Sequence, residues 1–192
     1  MQQNQPNEYR FTLPKAWKHF ILVTKHRFTV CRFCWKAGLC WRGLVHDLSK
    51  FSPAEFGESV RFYTGTRYPV DTAKEVQGYS AAWLHHKGRN RHHYEYWLDG
   101  SGEGGVPAKI PFPLVLEMVC DYLAAGKTYR GKAWAPQNSL DFWNRKKHKA
   151  NIHPDTAAFL DYAFTEIAAH GLAVLPRLKK QKQTYEKPGP VV

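Results

Sequence analysis

The spacing of apolar residues constrains this fold most, because it is helical between the polar chain ends and strand-like alternation never persists. The clearest segment runs from Pro14, a residue favoured in a first helical turn, to Gly38. Its two apolar stripes are Trp17, Phe20, Ile21, Thr24, Phe28, Cys31 and Trp35 on one side, and Leu22, Val23, Val30 and Phe33 on the other. A helix that is apolar on both sides is predicted to be central and buried, with His26, in the second stripe, directed into protein.

Further signals favour an all-α fold. Ser52, Pro53 and Glu55 supply an N-cap, a first-turn proline and a capping-box glutamate, which predict a helix over 53–63. Asp71 is placed to cap a helix that ends near Gly88. Other candidate helices are 41–50, 113–125, 139–149 and 155–170, with a possible continuation through 92–97. We therefore predict a single compact helical domain of about six or seven helices over 11–176, a flexible N-terminus over 1–10, and a basic C-terminal tail over 177–192 without a core face.

Composition is that of a globular protein. The chain has 192 residues, of which 43% are hydrophobic and 23% charged, and this favours one domain. No run approaches the ~18 apolar residues of a membrane span, and residues 1–9 do not resemble a signal peptide. The expectation is a cytoplasmic protein with no membrane partner. Its four cysteines, Cys31, Cys34, Cys40 and Cys120, are expected to be reduced and to pack as small hydrophobic side chains.

Charge is the first unusual property, since 28 Lys and Arg against 16 Asp and Glu give a net charge of +12. Such a balance favours anionic partners, including nucleotides and nucleic acid. Residues 127–149 concentrate seven basic residues against one acidic residue, interleaved with Trp134, Phe142 and Trp143. This segment is either a nucleic-acid interface or a helix whose aromatic rings pack inward. The second interpretation is favoured, because no known nucleic-acid-binding motif accompanies the charge.

Histidines and carboxylates embedded in apolar segments are the second unusual property. In chain order they are His26, His46-Asp47, His85-His86, His92-His93 and Asp121. Buried groups of this kind are costly unless they are paired or bind a metal ion, and imidazole with carboxylate suits divalent first-row metals. If one helix continues through both doublets, His86 and His93 share a face, as do His85 and His92. Glu117 and Asp121 lie on one side of an apolar helix, which indicates a nearby cation.

Each of these residues also has a simpler interpretation. His26 alone is more often a hydrogen-bonded core histidine than a metal ligand. Asp47 could cap a helix or pair with Arg42 or Lys50, and the histidine doublets could form a solvated stripe beside Lys87 and its basic neighbours. Considered together, these alternatives account poorly for so many titratable residues in apolar surroundings.

The order His … His-Asp … Asp on successive helices resembles the HD-domain superfamily of metal-dependent phosphohydrolases. The segment His46-Asp-Leu-Ser-Lys50 is similar to the His-Asp-x-x-Lys form that many members carry. Over residues 17–133 the chain more closely resembles an uncharacterised bacterial and phage family, through Lys25-His26 and the segments 41–56, 83–97 and 117–121.

The resemblance implies that His26, His46, Asp47 and Asp121 hold one divalent metal ion. It also implies Asp47 as the bridge to a second ion, which His86 and either His92 or His93 would bind.

Candidate catalytic and substrate-binding residues follow from this metal site. Lys50, about one turn from Asp47, is either a phosphate contact or only a salt-bridge partner. The rim residues Arg89, Arg91 and Lys127 are candidate substrate contacts. The catalytic candidates are Asp47, Lys50 and His92, the last as a general acid or base.

The function expected from these features is that of a metal-dependent phosphohydrolase, which cleaves a phosphoester or phosphoanhydride of a nucleotide or related phosphorylated compound. One alternative is a basic nucleic-acid-binding protein with a structural, non-catalytic His/Asp metal cluster. Another is a metal-stabilised structural protein. The sequence leaves open one or two ions, the choice among Mn, Fe, Zn, Ni, Co and Mg, and the oligomeric state.

Overall fold

Helices dominate the computed structural model, which describes residues 9–100 and 104–187, so the predicted all-α class is confirmed. The α-helices are α1 Leu13–Lys36, α2 Cys40–Val45, α3 Pro53–Arg61, α4 Pro69–Gln77, α5 Ala81–Lys87, α6 Phe112–Arg130, α7 Gln137–Lys147, α8 Pro154–His170, α9 Leu175–Leu178 and α10 Lys182–Glu186. Short 3-10 helices cover Leu48–Phe51, Tyr94–Trp97, Gly131–Ala133, Gly171–Val174 and Lys179–Gln181. A small antiparallel ladder pairs β1 Leu98–Asp99 with β2 Val106–Pro107, and Leu98 faces Pro107.

The single helix predicted between Asp71 and Gly88 is two helices in the structure, α4 and α5. Gly78 has a positive φ of 82° and ends α4, and Ser80 then caps α5, its side chain accepting from the Trp83 backbone N–H at 3.0 Å. Because α5 ends at Lys87, the second doublet, at residues 92 and 93, lies outside it. The prediction that the two histidine doublets share the faces of one helix was therefore wrong.

Two compact units make up the described chain. Unit 1 comprises residues 9–25 and 47–89, and unit 2 comprises 26–46, 90–100 and 104–187. In unit 1, α3 packs against α4 and α5. Aromatic contacts add to this packing: the ring of His19 lies 5.3 Å from Phe56 and 5.7 Å from Tyr63, and Phe20 lies 5.6 Å from Phe51.

Unit 2 has its hydrophobic core around α6, a helix in which buried apolar residues surround Glu117 and Asp121. Helix α8 packs against both α6 and α7. Trp143 of α7 and Phe164 of α8 are fully buried in this core, with ring centroids 6.2 Å apart. The core therefore holds the two carboxylate-bearing turns of α6 inside protein.

Residues 177–187 correct the prediction of a tail without a core face. Residues 177–186 are helical, and both Leu178 and Tyr185 are buried. The Tyr185 hydroxyl donates to the Ile110 carbonyl at 2.6 Å and lies 3.0 Å from the Thr156 hydroxyl. The six residues between these two buried side chains are all polar or basic, so the segment docks through isolated apolar positions. The rest of the predicted tail, 188–192, and residues 1–8 of the predicted flexible N-terminus lie outside the described residues.

The helices between Pro154 and Glu186 are long and apolar enough, by length and composition alone, to cross a membrane, with a mean hydropathy of 1.2. This is weak evidence, because core helices of soluble proteins pass the same test. Here Phe159, Leu160, Phe164 and Ile167 belong to the core of unit 2.

Helix α1 also differs from its prediction. The stripe that contains Val23, His26, Val30 and Phe33 is buried, as expected. The opposite stripe is largely exposed rather than buried; its exposed large members are Trp17, Phe20, Ile21, Phe28 and Trp35. Helical periodicity identified both stripes correctly, but only one of them is buried among the described residues. The four cysteines are all free, and two of them are buried.

Candidate metal centre

Three histidines converge on one carboxylate in unit 2. The Nε2 atom of His26 lies 3.1 Å from Asp121 Oδ1, and that of His46 lies 3.7 Å from the same oxygen. His92 Nε2 lies 3.8 Å from Asp121 Oδ2. All four residues are buried. Two ligands that each lie about 2.1 Å from one metal ion are themselves about 3–3.5 Å apart, and the separation of His26 from Asp121 falls in that range. Ligand atoms of His26, His46 and Asp121 all lie within 4.8 Å of one another, and those of His46 and His92 form a similar group with Glu117.

Glu117 lies one turn before Asp121 on α6 and contacts the opposite side of two of these rings. Its Oε1 atom hydrogen-bonds His46 Nδ1 at 3.0 Å and lies 3.5 Å from His92 Nδ1. Its other oxygen accepts from Arg42 at 2.7 Å. A carboxylate on the outer ring nitrogen is the usual device that orients a metal-binding histidine. The ring centroids of His46 and His92 are 4.5 Å apart, so Glu117 holds them side by side.

Both carboxylates are held in the charged form. Burial acts to raise the pKa of Asp121, but its contacts with His26 and His46 outweigh burial and keep that pKa well below its usual range. The pKa of Glu117 is lowered in the same way, by His46, His92 and Arg42 against the effect of burial. Unit 2 therefore presents buried negative charge beside imidazole nitrogens, which is the electrostatic setting of a cation site.

The backbone that presents His46 is fixed by close packing of α2 on α1. A Cβ atom built on Gly43 would lie 2.8 Å from the Cys34 Cβ and 3.0 Å from the Cys31 Cα, so only glycine permits this approach. Arg27 then donates from Nε to the His46 carbonyl at 2.7 Å and from Nη2 to the Leu44 carbonyl at 3.0 Å. The C-terminal end of α2 is thereby tied to α1.

Unit 1 holds a second, smaller cluster around Asp47. Its Oδ2 atom lies 2.6 Å from Lys50 Nζ, and its Oδ1 atom lies 3.4 Å from His86 Nε2. Glu55 accepts at 2.7 Å from His86 Nδ1 and at 2.7 Å from His85 Nδ1. Asp47 and Glu55 thus each contact one of the two ring nitrogens of His86, and in unit 2 Asp121 and Glu117 contact the two ring nitrogens of His46 in the same way.

Asp47 has an unusual backbone. Its φ of 51° is the only positive φ of a non-glycine residue among residues 9–100 and 104–187. Aspartate tolerates this conformation better than most residues, yet such a conformation still stores strain that is commonly found at functional sites. The turn places Asp47 just before the 3-10 helix that carries Lys50, whose backbone N–H donates to the Asp47 carbonyl at 3.1 Å.

The predicted ligands therefore fall into two groups. His26, His46 and Asp121 come together in unit 2, as the sequence predicted, and His92 joins them. Asp47 and His86 lie together in unit 1, with Lys50 in the ion pair that was one of its two predicted roles. Residue 93 lies beside His92, with ring centroids 4.2 Å apart.

Of the predicted substrate contacts, the three rim residues Arg89, Arg91 and Lys127 are exposed, whereas Lys50 is partly buried. Arg89 is at the surface of unit 1. Arg91 lies over the Trp97 ring at 5.3 Å, and Lys127 lies over the Trp134 ring at 5.5 Å. Their role in binding phosphate stays a prediction.

The basic segment 127–149 packs its aromatic rings inward for the most part. Trp143 is fully buried and donates from Nε1 to Asp161 at 2.8 Å, and Lys147 pairs with the same carboxylate oxygen at 2.8 Å. Phe142 remains half exposed against Tyr122. These contacts favour the packing interpretation over a base-stacking surface.

Sequence reasoning missed the orienting carboxylates. Glu55 was predicted only as a capping-box residue; Ser52 does accept from its backbone N–H, but the Glu55 carboxylate contacts histidines. Glu117 was predicted, together with Asp121, to indicate a nearby cation, but not to contact the histidines. Arg42, the partner of Glu117, was considered only as a partner for Asp47. The only signal in the sequence was that each glutamate lies in a predicted helix among apolar residues.

Comparison with known proteins gives one match. Residues 15–166 match the model of a family of unknown function, DUF5662. The chain belongs to this family. No curated protein and no solved structure matches the chain. The DUF5662 match spans all the candidate ligands in both units, so both clusters lie within the family's own region.

Proposed function

We propose that this DUF5662 protein is a metal-dependent phosphohydrolase with its metal centre at His26, His46, His92 and Asp121. The observation that carries the proposal is that His46 and His92 each face carboxylates with both ring nitrogens. A neutral imidazole has one N–H and donates to one side only. Without a cation, each ring leaves a bare nitrogen facing an anion or must carry a full charge inside the protein. A divalent ion between the Nε2 atoms and Asp121 removes this conflict.

Different residues of unit 2 would bind the ion and orient its ligands. The three Nε2 atoms and the Asp121 carboxylate would bind the ion, while Glu117 holds the proton on Nδ1 of His46 and so keeps Nε2 available. Arg42 offsets the charge of Glu117. A bound divalent ion supplies a water of lowered pKa and neutralises charge that develops on phosphate oxygens.

Unit 1 carries candidate residues of its own. Asp47 and His86 are a further pair of possible ligands, and Glu55 orients the ring of His86. Lys50 carries an ammonium that can pass from Asp47 to a phosphate oxygen when substrate binds. A net charge of +12 favours anionic substrates, and a nucleotide or related phosphorylated compound fits this balance.

The metal site is tested by elemental analysis of the purified protein beside His26→Ala. The matched control is His148→Ala, which removes a solvent-exposed histidine of unit 2. We expect near-stoichiometric manganese, iron or zinc in the wild type and the control, and loss of it in His26→Ala. Absence of metal from the wild type, even after incubation with these ions, would contradict the proposal.

Turnover is tested by phosphate release from a panel of nucleoside mono-, di- and triphosphates and from phosphodiesters. Activity should require the metal and disappear in Asp47→Ala, with the variant still folded by circular dichroism. A structural metal gives a different result: chelation lowers the melting temperature, and no member of the panel is hydrolysed.

A further inference from the structure

Unit 2 exposes an apolar surface on two consecutive helices. Its members, here called the α1–α2 surface, are Phe28, Trp35, Trp41, Leu44 and Val45. The three aromatic residues are the most exposed, at 66%, 63% and 73%. Together their rings present about 400 Å² of apolar area, as much as the largest apolar patch of a typical monomer. Apolar patches of this size are often functional.

The charge of the same segment restricts the partner. Residues 26–46 contain four basic residues and no acidic residue. Arg27 donates to backbone carbonyls and Arg42 pairs with Glu117. Arg32 and Lys36 are exposed and have no ion pair within the described residues. The surface therefore combines amphipathic aromatic rings with uncompensated positive charge.

We propose that the α1–α2 surface binds an anionic lipid bilayer, with its aromatic rings in the headgroup region. Tryptophan suits that region because it is apolar with one polar N–H, and long basic side chains beside it reach the lipid phosphates while their stems stay in apolar surroundings. Binding of this kind needs no membrane span, so it is compatible with the absence of one from residues 26–46.

Charge also argues against a second copy of this chain as the occupant. Two copies joined through this surface would bring Arg32 and Lys36 of both chains into one interface. Residues 26–46 supply no carboxylate to offset them. An anionic lipid surface supplies the negative charge that offsets Arg32 and Lys36.

The proposed membrane surface and the candidate metal centre use different sides of α1. His26 and Trp35 are nine residues apart on α1, and at about 100° per residue they lie on opposite sides of the helix. His26 is buried while Trp35 is exposed. The proposal is therefore independent of the proposed function, and variants of the surface need not disturb the metal ligands.

The test is co-flotation of the full-length protein with vesicles of phosphatidylglycerol and phosphatidylcholine, with vesicles of phosphatidylcholine alone for comparison. Trp35→Ser with Trp41→Ser should lower the partition coefficient about tenfold or more. Arg32→Gln with Lys36→Gln should lower it about fivefold for each charge removed. Matched controls are Tyr79→Ser, an exposed aromatic in unit 1, and Lys149→Gln with Lys180→Gln, two exposed lysines of unit 2.

Flotation with the anionic vesicles only, reduced in both surface variants and retained in both controls, would support the proposal. Failure of the wild type to float would overturn it, as would equal flotation of the surface variants and the controls. Light scattering covers the self-association outcome. A wild-type dimer that becomes a monomer in Trp35→Ser with Trp41→Ser, without vesicle binding, would assign the surface to a second copy and overturn the proposal.

Discussion

A buried histidine outside both clusters makes the stability of this protein sensitive to acid. His19 is only 5% exposed, packs against the rings of Phe56 and Tyr63, and has no hydrogen-bond partner for Nδ1 within the described residues. Burial first, and the charge of Lys50 second, lower its pKa from 6.5 to about 4. The folded protein therefore holds this ring neutral at pH values where the unfolded chain binds a proton.

The sign and size of the effect follow from linkage. Above pH 6.5 the ring is neutral in both states and makes no pH-dependent contribution. As the pH falls, the unfolded state gains its proton first, so stability is lost between pH 6.5 and about 4. At 1.36 kcal/mol per pKa unit, the loss attributable to His19 is about 2 kcal/mol at pH 5 and reaches about 3 kcal/mol near pH 4.

The assay is urea unfolding of the wild type and of His19→Leu at about pH 7 and pH 5, with the free energies of unfolding compared pairwise. Leucine has a similar volume and cannot bind a proton, so the variant should lose about 2 kcal/mol less than the wild type between the two conditions. His148→Leu, at an exposed position, controls for the removal of one histidine. Identical pH dependence in the wild type and His19→Leu would refute the reasoning, because it would mean that His19 is not held neutral by burial.

Three further outcomes are expected. Glu117→Gln should weaken divalent metal binding about 10- to 100-fold in a titration with a competing chelator, because His46 loses its orienting carboxylate; unchanged affinity would remove Glu117 from the site. Gly43→Ala should lower the free energy of unfolding by about 1–3 kcal/mol, since its Cβ would collide with Cys34, whereas Gly57→Ala, in open space on α3, should leave stability unchanged or raise it by up to about 1 kcal/mol. Trp143→Ala should cost about 3–5 kcal/mol in the same measurement, because the ring is fully buried; a cost below about 1 kcal/mol would contradict its place in the core.

Local chemistry made part of this fold predictable. Ser52 and Pro53 begin α3 as expected, because capping and a first-turn proline act within one turn of chain. The burial of His26 and of Asp121 also followed from periodicity, since each lies in an apolar stripe of its own helix. Information of this kind is contained in a few consecutive residues.

Other features depend on partners distant in sequence. Periodicity shows that α1 has two apolar stripes, but not that only the stripe containing His26 is buried. The exposed stripe containing Trp35 has the same spacing. Similarly, Leu178 and Tyr185 looked like isolated apolar residues in a basic tail, and only the position of Ile110 and Thr156 makes Tyr185 a buried anchor.

The positions of the histidines also depend on residues that are distant in sequence. The chain leaves helical geometry after Lys87, and His92 lies in unit 2, whereas His85 and His86 lie in unit 1. A single-helix reading gave these residues shared faces that they do not have. The carboxylate that each imidazole contacts is 30 or more residues away along the chain for His85 and His86, and 25 or more for His92.

Helix α6 explains why the candidate metal centre is well buried. Twelve of its 19 residues are buried, and Glu117 and Asp121 are the only carboxylates among them. The apolar residues on either side lock the helix into the core of unit 2, so each carboxylate keeps a fixed direction. Low polarity around them strengthens every contact with the imidazoles and increases the cost of leaving any contact unmatched. The core therefore does more than support the site. It buries two carboxylates one turn apart, and these are costly unless positive charge lies beside them. The histidines, Arg42 and a metal ion would supply that charge.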